Sequence, residues 1–182
     1  ISLSTGAASV GKAGDVRVAT GASVGSGGNI VVSAGSSQTD TGSSIVVSAG
    51  DNIGAAVGGS VNVRSGSGTT SSGNVHMNTG NSDTGNSGQI EFSSGQAGLD
   101  SGKIDIQSGT ALQNSGNVEI AAGNSQVQGG NFVMTAGSSS SGQGGSVKLQ
   151  TGNSNLGNSG SVLIETSVGG TSGSIAVKTG IA

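Results

Sequence analysis

Three carboxylates recur at one place in a repeated phrase: Glu91, Asp105 and Glu119. Each stands between two apolar residues (Ile90/Phe92, Ile104/Ile106 and Val118/Ile120), and each is 14 positions from the next. If these phrases stack as neighbouring strands, about 4.8 Å apart, the three acids share one column. Carboxylates that close either repel or share a cation, so the column is a candidate Ca²⁺- or glycan-binding strip. It also matches the separation of about 5 Å used by acid/base pairs in retaining glycosidases. The competing reading is a solvated face, with Lys103 and His76 relieving the repulsion. That second reading is the stronger one, because a sugar-binding strip needs aromatic platforms. The chain has no Trp or Tyr, and its two Phe both fall in apolar slots.

Other chemistry is poorly supplied. His76 is the sole histidine and there is no cysteine, so a zinc site within one chain is not expected. The Gly-Gly-x-Gly-x-Asp repeat of calcium-binding toxins is absent. No Gly-x-Ser-x-Gly sits on a strand-to-helix elbow, and Gly-rich phosphate loops need a helix that the sequence does not predict. No catalytic residue, cofactor or metal is assigned, and the chain is not expected to be an enzyme.

What must position the acids is a repeat. Its clearest copy is Gly116-Asn-Val-Glu-Ile-Ala-Ala-Gly123, and the pattern returns thirteen times. The closing residues run from Gly6 to Gly180 in twelve steps of 13 to 16 residues, a mean of 14.5, with Ser167 once replacing Gly. Before each closing residue, two apolar residues stand two apart, from Ile1/Leu3 to Ile175/Val177, followed on the same face by Thr, Ser or Ala. A second glycine precedes the first apolar residue by two positions in eleven of twelve readable cases; Ser43 is the exception. Glycine at both ends suits corners that need positive φ or close backbone approach.

Spacing of two disfavours helix, and 38 glycines do so further. Asn-Gly and Asp-Gly hairpin turns are absent. The strands also recur too soon for helical crossovers. The sequence therefore predicts an all-β fold: a single-chain parallel β-solenoid, or β-helix, of about 13 coils with 14–15 residues per coil. Residues 1–182 are read as one repeat domain, a segment of a longer array, since Ile1 opens inside a phrase and Ala182 ends inside a spacer. The spacers often carry an aliphatic three or four residues after the glycine (Val10, Val24, Ile53, Leu99, Leu112, Val127, Leu156), read as a second, weaker wall of a flattened coil. The spacer at Ser138–Ser141 lacks one and is expected to be the loosest. The sixteen-residue step from Gly50 to Gly66 predicts a bulge.

Composition bounds the function. Thirty-five Ser join the 38 Gly, a mixture that without a period argues for disorder. Net charge is −3, with only fifteen Asp, Glu, Lys and Arg residues, so there is no basic footprint for nucleic acid or for a membrane surface. No apolar run approaches a membrane span. The column between the apolar pairs is irregular, and Thr falls instead in the small inward slot, which does not suit an ice-binding ladder.

The phrase Ser-Gly-x-[Ile/Val]-x-[Val/Ile/Leu]-x-[Thr/Ser]-Gly is exemplified by Ser87-Gly-Gln-Ile-Glu-Phe-Ser-Ser-Gly95 and Ser159-Gly-Ser-Val-Leu-Ile-Glu-Thr-Ser167. It resembles the Gly/Ser-rich repeat arrays of very large secreted or cell-surface proteins of diatoms and related algae, and is similar in style to bacterial adhesin stalks. That resemblance implies an extracellular structural or adhesive role and carries no catalytic residue across. The expected function is an extracellular structural protein forming a stiff rod or filament, such as a fibre, stalk, cell-wall or matrix component. The alternative is a glycan-, Ca²⁺- or surface-binding adhesive module. Expected partners are other copies joined end to end, or a longer array, with a polysaccharide or mineral surface possible.

Overall fold

A computed structural model describes residues 1–180, so Ala182 lies outside them. It divides the chain into two units, Ile1–Glu91 and Phe92–Ala182. The repeat is present in both units, but it does not form a solenoid. No helix and no strand forms among the described residues. Nearly all close backbone approaches join residues fewer than twelve positions apart. A coil of 14 to 15 residues would instead bring every residue beside its equivalent one repeat on. The all-β solenoid is therefore overturned, along with the β-helix description and the internal core that it required.

The physical reason lies in how each repeat closes. The chain does not travel around a coil; at five spacers among the described residues it pinches shut behind a phrase. The amide of Gly130 donates to the carbonyl of Gly123 at 3.0 Å, and the same bond joins Gly59 to Gly50, Gly73 to Gly66, Gly145 to Gly137 and Gly160 to Gly152. Each neck ties the glycine that opens a phrase to the one that closed the phrase before. The spacer then hangs outside as a short closed loop. Chain length that a solenoid needs for its remaining sides is spent in this loop, so successive phrases never stack.

The two glycines of a repeat behave differently. A Cβ built on Gly130 sits 3.2 Å from the Ala122 Cβ, and one on Gly59 sits 3.2 Å from the Ala49 Cβ. Gly88 and Gly160 meet Thr79 and Thr151 at 3.3 Å in the same way. At these four positions the opening glycine is required by close approach to the small residue of the previous phrase, whereas at Gly102, Gly116 and Gly173 the same contact is an ordinary 3.8 Å. That also explains why the slot before each closing residue holds only Thr, Ser or Ala. The closing glycines from Gly6 to Gly180 have nothing within 4 Å, and none has positive φ. Among the described residues the one positive φ belongs to Gly11, inside a spacer. Of the two roles expected for these glycines, close approach holds at the opening end of several phrases, and positive φ holds at neither end.

Spacers are held by side chains. In seven of them the residue two after the closing glycine is Ser or Asn, and in all seven its oxygen accepts a backbone amide: Ser23, Ser37, Asn52, Ser82, Ser125, Ser139 and Ser154. These are the local turns that short polar side chains favour over regular structure. At Gly68, which holds the same slot, an added Cβ would run into the Ser71 carbonyl. The expected bulge in the sixteen-residue step is instead a larger loop, where Asn52 takes the amides of both Gly54 and Ala56. The loop at Ser138–Ser141, expected to be loosest, has two amides on Ser139 Oγ.

The accessible surface is 18339 Å². A compact chain of this mass exposes about 7,700 Å², and a fully unfolded one about 24,500 Å². Three quarters of the unfolded surface is thus still in contact with solvent, and no described residue is buried. Exposure nonetheless follows the phrase. From Val16 to Ile175 the first apolar position is 50–58 % exposed, whereas the apolar residues between the pairs (Val31, Val46, Val133, Leu163) are 76–83 % exposed. The seven spacer aliphatics are 91–110 % exposed, so they form no second wall. Among the described residues only Ala49, Ser65, Thr79, Ala136 and Thr151 are half-buried, and every one of them is the small residue at a neck.

Candidate functional site

The three acids sit in the extended phrases, each exposed, and each phrase is bounded by the glycines of two necks. Their spacing in space was to come from stacked coils, and that stacking is absent. What two of the acids touch is local. Asp105 pairs with Lys103 at 2.7 Å, with side chains 50 % and 78 % exposed. Glu91 accepts a hydrogen bond from Gln89 Nε2 at 3.3 Å. In both cases the partner is two residues earlier, on the same side of an extended chain. Exposure to this degree makes the Lys103–Asp105 pair worth little to stability. No group of three or more His, Asp or Glu residues lies close enough to hold a metal ion among the described residues. Lys103 thus neutralises Asp105 directly, while His76 lies in the other unit.

The surface around Asp105 is apolar. Phe92, Ile104, Asp105 and Ile106 line an open hollow of about 430 Å³ within the second unit. It lies between the end of one phrase and the next, and the neck from Ser94 to Gly102 joins them. A Cβ on Gly102 would lie 3.8 Å from the Ser94 Cβ. The hollow has apolar walls and is only partly enclosed, so it is a gap between phrases rather than a ligand cavity of the closed kind.

Two features that the repeat pattern did not reveal matter more than the acids. One is the neck, whose signal was the recurrent pairing of a small residue with a glycine seven to ten positions later, Ser43 excepted. The other is the capping Ser or Asn two residues after the closing glycine. Both were legible as regularities of spacing, but each has meaning only once the chain is seen to close on itself.

With this geometry in view, comparison with known proteins adds no further constraint: no protein-family model, no curated protein and no solved structure matches the chain. Among the described residues, no helix is long and apolar enough to cross a membrane.

Proposed function

We propose that the chain is an extracellular structural protein that works by assembling with further copies of its repeat into a fibre, stalk, cell-wall or matrix element. The observation that carries this reading is the absence of any buried apolar residue from Ile1 to Gly180, although each repeat supplies an apolar pair in a fixed place. Exposed apolar surface on this scale marks an interaction surface rather than a finished monomer. Necks and capped loops hold each repeat in shape, yet they bury almost none of it. Extracellular placement is supported by the resemblance of the phrase to secreted Gly/Ser-rich arrays.

Sedimentation and electron microscopy over a wide range of protein concentration test the reading. Growing polymers that image as filaments are the expected outcome. A monodisperse monomer at millimolar concentration would overturn it.

A further inference from the structure

The thirteen phrases form no strand and lack backbone partners. Five backbone–backbone hydrogen bonds occur among the described residues, all of them at necks. A folded chain has about one hydrogen bond per residue, two-thirds of them between backbone groups. The amides and carbonyls of Val118–Ile120, and of the equivalent residues in the other phrases, therefore have no backbone hydrogen-bond partner within the chain. Such rows are templates for pairing with another chain.

We infer that the occupant is a second copy of this chain, pairing phrase to phrase in parallel and in register, with copies stacked about 4.8 Å apart. This rests on the self-assembly reading and specifies its geometry. It also differs from a solenoid, because every pairing is between chains and none within one.

Four observations select this occupant. The steps between phrases are irregular, running 15, 14, 15, 16, 14, 15, 14, 14, 14, 15, 15 and 13 residues. Only an identical chain, unshifted, offers a phrase opposite every phrase. The order of steps also has a direction: read backwards it begins 13, 15, 15 and 14 rather than 15, 14, 15 and 16. An antiparallel copy would leave phrases out of register with one another, so the parallel orientation is selected. Charge is sparse, at 8 % of residues, and Pro is absent. In-register stacking superposes like charges, which a heavily charged chain does not tolerate, while rows of Ser and Asn stack favourably. Finally, the surface exceeds that of a compact chain of the same mass by about 10,600 Å². Stable obligate interfaces remove about 2,000–5,000 Å², so the area available is ample. The hollow between Phe92 and Ile104 fits the same scheme, since its own chain leaves it unfilled.

The absence of cysteine allows clean single-site labelling of the full chain. Nitroxide labels are placed singly through His76→Cys and, separately, Glu119→Cys, one exposed phrase position in each unit. In fully labelled polymer the spectrum of either variant is expected to collapse to one exchange-narrowed line. Tenfold dilution with unlabelled chain is expected to restore three lines. Three resolved lines at full labelling, at either position, would overturn in-register stacking while leaving self-assembly intact. Narrowing that survives dilution would show that labelled chains gather apart from unmodified copies instead of stacking with them, and would also overturn it. Failure of both variants and of the unmodified chain to polymerise would remove this inference and the self-assembly reading together.

Discussion

The necks and the phrases of this molecule solve the same problem in opposite ways. At a neck, the backbone amide has a carbonyl partner, the small side chain touches a glycine, and the loop beyond is capped by a Ser or Asn oxygen. Local interactions complete it. In a phrase, which begins at the neck's own glycine, the side chains are larger and more apolar, yet nothing in the chain covers them. The difference shows that apolar content and local order are separable. Closing a loop of eight to ten residues carries a modest entropic cost, since closure grows only slowly with length. Bringing one phrase onto the next requires ordering an entire repeat, and a two-residue apolar pair returns little for it. Phrases are therefore left for contacts between chains.

The largest expected effect is at the phrase. Val118→Asp leaves the lone chain nearly unchanged, because Val118 is already half exposed and has no core to disrupt. In the assembly it creates a row of superposed carboxylates, and the concentration needed for polymerisation is expected to rise at least about tenfold, some 1.4 kcal/mol. Loss of the lone chain's neck contacts by NMR, rather than of polymer, would mean that the phrase is not autonomous from the neck.

At the neck, the two glycines are expected to differ sharply. Gly130→Ala places a methyl 3.2 Å from the Ala122 Cβ and crowds the Gly123 backbone, whereas Gly123→Ala meets nothing within 4 Å. The first costs about 1–3 kcal/mol of local stability, as overpacking does; the second stays within about 0.5 kcal/mol. The check is the nuclear Overhauser contact between residue 122 and residue 130, lost in the first variant and kept in the second. Equal behaviour would remove the asymmetry between phrase ends.

A smaller effect is expected in the loops. Asn52→Ala removes two accepted hydrogen bonds and Ser154→Ala one. Each bond is worth about 0.5–1.5 kcal/mol, so Asn52→Ala should loosen its loop the more. Amide exchange at Gly54, Ala56 and Gly157 reads this directly.

The smallest effect is that of salt. Raising sodium chloride from 0.01 M to 1 M shortens the screening length from about 30 Å to about 3 Å and relieves the superposed charges. Assembly should strengthen a few-fold, and Glu119→Gln should reduce that dependence. Salt that weakens assembly would point to oppositely charged neighbours and hence to a shifted register.

Much of the local structure was written in the sequence. The period, the alternation of more and less exposed positions around Ile30, Val31 and Val32, and the small residue ahead of each closing glycine all depend on neighbours a few positions apart. Even the pairing of Lys103 with Asp105 follows from two residues on one side of an extended chain. What the sequence alone did not determine was where the chain goes between phrases. A glycine two positions before Ile104 reads equally as a solenoid corner or as one side of a neck. Only the tertiary structure distinguishes them, through the approach of Gly102 to Ser94 and the bonds at the five hydrogen-bonded necks. The same decision removed the shared column of Glu91, Asp105 and Glu119, because distances between residues 14 apart depend on the path of the chain and not on the pattern it repeats.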